Sequence, residues 1–410
     1  MDMDTPLRTL DRTVLTGVAR RALDSDGADI VAWQVNSLRY DCTTPSSGGV
    51  YRVAGTAIEG AQALPWSAVL KVLRSPAGMT TTTGAVIPRD LPDDPSLFSF
   101  WKREALAYGA GALTNLPGGL TAPRCYGVTA PGDGTLWVWQ EDLAERGPSC
   151  WSFDQYHLAA RCLGRFNGAY LAGRPLPAYP WLARGWLRSW LALPAARMLE
   201  RIERSRAWEH PAVRRAFPPS LAGRLRGLWA ERERLLTALE SLPHVFCHRD
   251  AFRPNLFIHP RQDGTEGIVA IDWAFAGAGP VGEEIAPLIA MQPAGGKEGF
   301  APWQLEGPVF DGYLRGLDEA GWRGDPRLVR FGYAASAALR YTLPTVIEVI
   351  TDLCDERRHA AVEGRRGMPF QRAVERQVAL TEFLLDLAGE ATSLLRGLEH
   401  PELERWVAVS

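Results

Sequence analysis

Residues 247–285 read CHRDAFRPNLFIHPRQDGTEGIVAIDWAFAGAGPVGEEI, and this stretch decides the reading of the chain. His248-Arg249-Asp250 is followed by Asn255 and then, at the end of an apolar run, by Asp272 within Ile271-Asp272-Trp273. Leu256, Phe257 and Ile258 have the character of a strand, 260–267 is rich in turn formers, and 268–271 makes a return strand. Such a hairpin folds Asp272 back beside Asp250 and Asn255. Two carboxylates and a carboxamide, with no thiolate or imidazole cluster nearby, form a hard oxygen-ligand site. That set suits magnesium, which takes few protein ligands and shares the rest with water and phosphate oxygens.

The composition bounds what this site belongs to. At 410 residues the chain is long for one core, which predicts two lobes. Hydrophobic residues make up 46% and charged residues 22%, an ordinary globular balance. A net charge of −2 gives no global attraction for nucleic acid or an anionic membrane. The six cysteines, Cys42, Cys125, Cys150, Cys162, Cys247 and Cys354, lack CxxC pairing and read as reduced thiols of a cytoplasmic protein. The acidic N-terminus has no signal-peptide pattern, and no run of about 18 apolar residues predicts a spanning helix.

In chain order, Leu7, Leu10, Val14, Val18 and Leu23 repeat at helical spacing. Short strands follow around 30–35, 50–53 and 67–73, then around 124–128 and 136–143, before any long helix, so an antiparallel sheet is expected. Lys71 stands alone in the apolar run Trp66-Ser67-Ala68-Val69-Leu70-Lys71-Val72-Leu73. Such a lysine must snorkel to water or find an anion. Glu104 lies on the amphipathic segment that follows. From Ser152 onward the periodicity is helical, with Phe153, Tyr156, Leu163, Phe166 and Tyr170 on the first helix. Helices continue after Ala286 to the end. The basic and aromatic residues of 175–204 are mixed with acids and read as a solvated helix over a tryptophan core, in preference to a nucleic-acid surface.

The order H-R-D-x-x-x-x-N followed by an aspartate on a strand resembles the catalytic loop and metal aspartate of the protein-kinase-like fold. With the glycine-proline loop and Glu284-Ile285-Ala286 behind it, the block resembles the aminoglycoside phosphotransferase and choline kinase branch. The resemblance implies an α+β, two-lobed fold. Its N-terminal antiparallel-sheet lobe (1–142) binds nucleotide, and its mostly helical C-terminal lobe (143–410) carries the catalytic loop and the acceptor pocket. It implies ATP or GTP with magnesium, and a small-molecule hydroxyl as acceptor: an aminoglycoside or other antibiotic, a sugar or an amino alcohol.

The same resemblance assigns roles. Asp250 orients the acceptor hydroxyl and takes its proton, while Asn255 and Asp272 hold magnesium. Lys71 clamps the phosphates and is held by Glu104. Ser47, Gly48 and Gly49 are candidates for a loop over the phosphates, since backbone poor in side chains brings its amides close to an anion. Gln140 and Glu141 stand where the chain passes between lobes and where backbone groups meet the base. Trp273 and Glu283, at the cleft's edge, and Tyr341 and Asp352, on a C-terminal helix, are candidate walls of the acceptor pocket. In the family the helix after the metal aspartate usually opens with aspartate, and Glu284 stands there instead. Two other readings stay open: an atypical protein kinase, encouraged by Arg249, and a nucleotide-binding pseudokinase. Against the first, only eleven residues separate Asp272 from Glu284 and no Ala-Pro-Glu follows.

Overall fold

Helix α1 (Arg12–Leu23) starts where the Asp11 carboxylate accepts the Val14 N–H at 2.9 Å and ends at Asp24 in the left-handed region. Such a cap satisfies one of the helix's orphan donors. The chain is described by a computed structural model over residues 10–38, 46–80, 86–143, 151–204, 206–261, 264–291 and 299–398. The start of the first amphipathic repeat, Leu7, and the residues 39–45 before Ser47 lie outside these, as do Cys42 and Cys150.

Strands β1 (Asp29–Ser37), β2 (Ser47–Glu59) and β3 (Gln62–Arg74) form an antiparallel meander. After α2 (Arg103–Gly109) and the short β4 (Leu120–Thr121), β5 (Cys125–Thr129) and β6 (Thr135–Glu141) complete a five-stranded sheet of order β1-β2-β3-β6-β5. Its strands are longer than the apolar runs alone predict, because pairing carries the ladder beyond the buried residues. Alternate residues of one face, among them Tyr51, Val53, Leu70, Val72 and Trp139, close on Leu15 and Val18 of α1 to make a core of their own.

A helical half follows. Helix α3 (Phe153–Leu171) opens with a reciprocal capping box between Ser152 and Gln155. Next come α4 (Trp186–Trp190), α5 (Ala196–Arg204), α6 (Pro211–Ala216) and α7 (Leu221–Glu240). Strand β7 (His244–Cys247) leads into the expected hairpin, β8 (Leu256–Pro260) and β9 (Glu266–Ala270), whose register pairs Leu256 with Ala270. The glycine-proline stretch is a strand, β10 (Gly277–Pro280), antiparallel to β7, where the sequence led us to expect a tight turn. Helices α8 (Ala286–Ala290), α9 (Pro302–Glu319), α10 (Pro326–Leu353), α11 (His359–Arg366) and α12 (Phe370–Leu398) close the chain. This is the two-lobed α+β architecture expected.

Helix α3 packs on α9 and on β7, the strand that leads into residues 248–255, and a buried relay fixes it there. Asn167 donates to the Phe246 carbonyl at 2.8 Å, and the Tyr313 hydroxyl donates to the Asn167 carbonyl oxygen at 2.6 Å. A polar chain of this kind specifies register in an otherwise apolar interface. Among the described residues no helix is long and apolar enough to cross a membrane, and Cys125, Cys162, Cys247 and Cys354 are free thiols.

Candidate active site

The loop 248–255 is held from three sides. Burial pushes the His248 imidazole down to about 4, so the ring is neutral. Its Nδ1 accepts the Asp250 N–H at 3.1 Å, which leaves the proton on Nε2, 2.8 Å from the Ile271 carbonyl. His248 therefore bolts the backbone of Asp250 to that of the residue before Asp272. From below, the Glu284 carboxylate accepts the N–H groups of His248 (2.7 Å) and Arg249 (3.1 Å). Glutamate at this position thus reaches two backbone donors of the loop, although burial raises its carboxyl to about 7. The third tie is the Ile271 N–H, which donates to the Asn255 carbonyl at 2.9 Å and sets the hairpin's end beside the loop.

Arg249 is fully buried with φ +65°. Its Nε meets Glu283 at 3.1 Å, Nη1 donates to the Phe275 carbonyl at 3.2 Å, and Nη2 donates to the Ala278 carbonyl. Every donor group is spent inside the fold. An activation-loop phosphate therefore has no access to this arginine, which removes the feature that encouraged the protein-kinase reading.

Facing the loop, Lys71 on β3 lies 2.6 Å from Glu104 on α2 and 2.9 Å from Asp272. The pairing expected of Lys71 and Glu104 is present. Burial raises the Glu104 carboxyl, opposed by the Lys71 charge. For Asp272 burial acts in the same sense and is the largest single influence, but the charge and hydrogen bond of Lys71, together with the smaller contributions of His248 and the Ala274 N–H, hold the carboxyl below its ordinary value. Asp272 also sits at φ +65°, a left-handed conformation costly for aspartate and imposed by its surroundings. Arg103, next to Glu104, is wholly buried and donates to the carbonyls of Trp181 (3.2 Å), Ala274 (2.8 Å), Pro95 (2.8 Å) and Leu97 (2.9 Å). It ties α2 to the Asp272 loop, so Glu104 is carried on a fixed helix.

Asp250 accepts the Asn255 Nδ2 at 3.0 Å and lies 3.4 Å from Nη2 of Arg340, a residue of α10. Burial raises its carboxyl to about 7, with Arg340 opposing the rise and the Asp272 charge adding to it. Asn255 spends its amide N–H groups on the Asp250 carbonyl and carboxylate, both at 3.0 Å, which leaves its carbonyl oxygen as an acceptor. An ionised carboxylate at 272 and an amide oxygen at 255 are the hard donors magnesium takes, so the residues fit that ion. Among the described residues no cluster of three His, Cys, Asp or Glu side chains offers a softer metal site.

The nucleotide candidates gather on the sheet. Ser47 and Gly49 begin β2 at a register shift beside β3, one step from the pairing of Val50 with Lys71. Gly49 has φ +126°, and a Cβ on Gly48 would stand 2.7 Å from Val72. Gln140 is buried on β6. The Glu141 N–H is spent on the Arg124 carbonyl at 2.8 Å, so of its backbone pair that donor is not free for a base.

Three of the four acceptor-wall candidates are corrected by the structure. Trp273 is fully buried, its indole N–H donating to the Ala270 carbonyl at 2.8 Å and its ring packed on His248, Phe246 and Phe166. It is a core residue because the chain beyond the end of β9 carries its ring into the helical half. Glu283 is buried against Arg249, its carboxylate spent on that guanidinium. Asp352 pairs with Arg358 at 2.7 Å and lies about 18 Å along α10 from Arg340, at 1.5 Å per residue. Tyr341 stands beside Arg340, which reaches Asp250, its ring 4.9 Å from that guanidinium. What the sequence reading missed is Arg340 itself, with Trp186 and Phe275 at 4.5 and 5.6 Å from its guanidinium carbon.

The family model APH, phosphotransferase enzyme family, matches residues 110–324. Among solved structures the chain is similar to choline kinase from Cryptosporidium parvum Iowa II, at 12% identity over 97% of this chain and 99% of that one, TM-score 0.49. A spectinomycin phosphotransferase solved with ADP and spectinomycin aligns at 10% identity over 94% and 99%, TM-score 0.43. Plasmodium vivax ethanolamine kinase aligns at 8% identity over 85% and 81%, TM-score 0.42. No curated protein sequence matches the chain.

Proposed function

Because the chain belongs to the APH phosphotransferase enzyme family, we propose that it moves the γ-phosphoryl group of ATP or GTP to a hydroxyl of a small molecule, within a sugar, amino alcohol, aminoglycoside or other antibiotic. The observation that carries this reading is the meeting of Lys71 with Glu104 and Asp272, across from Asp250 and Asn255. A pseudokinase has no use for all five, and retaining them argues for turnover.

In this reading residues 1–142 bind the nucleotide and 143–410 hold the catalytic loop and acceptor. Lys71 would bind phosphate oxygens, its ammonium kept in place by Glu104. Ser47, Gly48 and Gly49 would offer backbone amides over the phosphates, and the chain near Gln140 and Glu141 would border the base. Magnesium, held by Asp272 and the Asn255 carbonyl oxygen, would offset charge on the phosphate oxygens. Asp250 would accept the hydroxyl proton as the acceptor oxygen bonds to the γ-phosphorus and the bond from that phosphorus to the β–γ bridging oxygen breaks, releasing the nucleoside diphosphate. Such catalysis is mostly position and charge. His248, neutral and doubly bonded, braces the loop and moves no proton. Nucleotide use and reduced thiols fit a cytoplasmic enzyme.

The protein-kinase alternative lacks support from the site. The segment after Asp272 is committed to β10 and to holding Arg249, which leaves no platform for an extended peptide. The test is release of ADP from ATP and magnesium in the presence of a panel of small hydroxyl compounds, with generic protein substrates in parallel. Acceleration by a small hydroxyl compound is expected. Labelling of serine or threonine in proteins, with no small compound active, would overturn the reading.

A further inference from the structure

We propose that Arg340 sets the charge of the acceptor: the molecule phosphorylated is neutral or anionic near its reacting hydroxyl, a polyol, sugar or hydroxy acid, and cations are rejected. The inference rests on the phosphotransferase reading above and narrows its range of acceptors.

Arg340 lies within α10, where residues 331–339 are all buried and its neighbours toward the N-terminus are Ala337, Ala338 and Leu339. It is only 7% exposed, so its charge is placed and not solvated away. Nη1 donates to the Arg249 carbonyl, and Nη2 lies 3.4 Å from Asp250. Any hydroxyl within hydrogen-bond reach of Asp250 is therefore a near neighbour of this guanidinium.

Trp186, Tyr341 and Phe275 surround the guanidinium at 4.5, 4.9 and 5.6 Å. Three rings about one point form a cage for a cation. Here the cage is filled by the protein's own cation. A ligand ammonium arriving at the same rings meets a like charge a few ångströms away in a poorly solvated place, where repulsion is strong.

The acids that would offset such a ligand are already matched. Glu283 pairs with Arg249 at 3.1 Å, Glu348 with Arg366 at 2.8 Å, and Asp352 with Arg358 at 2.7 Å. Asp272 faces Lys71. What the rings do offer are the Tyr341 hydroxyl and the Trp186 indole N–H, buried polar atoms without a protein partner among the described residues. A hydroxyl or carboxylate oxygen can accept from both, whereas an ammonium group has no lone pair with which to accept from the indole N–H and can only donate to the Tyr341 oxygen.

The experiment compares acceptors of equal shape that differ in charge. Choline is set against 3,3-dimethylbutan-1-ol, and ethanolamine against ethylene glycol and glycolate, with glucose and kanamycin as larger members. ADP release gives kcat/KM, and calorimetric titration of the same compounds gives binding without turnover. The neutral or anionic member of each pair is expected to win by about tenfold or more. Arg340→Gln should shrink that ratio toward unity, and Arg340→Lys, which keeps the charge, should preserve it, each variant first checked for an intact thermal transition. A cationic member preferred in either readout, or a ratio unchanged in the glutamine variant, would overturn the inference. Charge-selective binding without any ADP release would instead defeat the phosphotransferase reading and leave the role of Arg340 standing.

Discussion

Gly279 has no side chain at the point where a Cβ would stand 2.8 Å from Nη2 of Arg249 and 2.1 Å from the Glu283 carboxylate. Gly277 clears the other side, where a Cβ would be 2.6 Å from Nη1 of the same arginine and 2.2 Å from the Ala183 carbonyl. The two glycines are the socket of a buried guanidinium. Gly277→Ala and Gly279→Ala should each destabilise the fold by about 2 kcal/mol or more, as overpacking of a closed site does. Gly223→Ala on α7, where a Cβ meets nothing within 4 Å, is the control. It should be neutral or stabilising by up to about 1 kcal/mol, since alanine is the better helix former. Urea midpoints of the three variants check the order.

Arg249→Met tests the same socket from inside. The substitution leaves Glu283 buried without its cation, and removing one partner of a buried pair costs about 3–5 kcal/mol. Adding Glu283→Gln should recover part of that loss. If Arg249→Met were as stable as the wild type and changed only activity, the arginine would be a surface for ligands and the socket argument would fail.

These residues also show what the sequence made legible. The spacing of His248, Asp250, Asn255 and Asp272 was readable because two short apolar strands around a turn-rich stretch, a hairpin, lie between the last two. Lys71 and Glu104 were readable because a single charge in an apolar strand needs an anion. By the same rule Arg340, one charge in an alanine and leucine run, carried an equal signal, but its partner Asp250 lies 90 residues away and no local pattern names it. Trp273 and Glu283 were misplaced because proximity in sequence to Asp272 says nothing about whether the chain beyond the strand turns a side chain to the cleft or to the core. Gly277 and Gly279 looked like turn formers, and only the position of Arg249 reveals that they make room.

His248 gives a pH dependence of stability. Its folded value of about 4 lies below the ordinary 6.5, so its contribution is present above about 6.5 and is lost as pH falls toward 4. By pH 4 the loss from this group is on the order of 3 kcal/mol. Glu284, raised to about 7, acts in the opposite sense, its contribution present below about 4.5 and lost as pH rises through 7. The difference between wild type and His248→Gln isolates the histidine. Thermal midpoints of the wild type should fall more steeply between pH 6.5 and pH 4 than those of the variant, and parallel curves would contradict the neutral buried ring.

Asp272→Ala should abolish turnover, because it removes the ionised carboxylate that Lys71 faces and that magnesium requires. Lys71 keeps Glu104 as a partner, so the fold should survive and nucleotide affinity measured without metal should fall much less than activity. Wild-type turnover that persists under complete chelation of divalent ions would sink the assignment of this residue.

Asp250→Asn separates chemistry from binding. The carboxamide keeps the size of the side chain and can still accept from Asn255, so the nucleotide KM should change little. It cannot take a proton, and loss of a general base lowers kcat by about 10²–10⁴-fold. The carboxylate of the wild type is raised to about 7 by burial, with Arg340 working against that rise. Because the deprotonated form is the base, kcat/KM of the wild type should climb as pH increases through about 7 and then level. The asparagine variant should show a low, flat profile over the same range. A variant with near-normal kcat, or one that retains the wild-type inflection, would mean that Asp250 holds the loop together and that another group receives the proton.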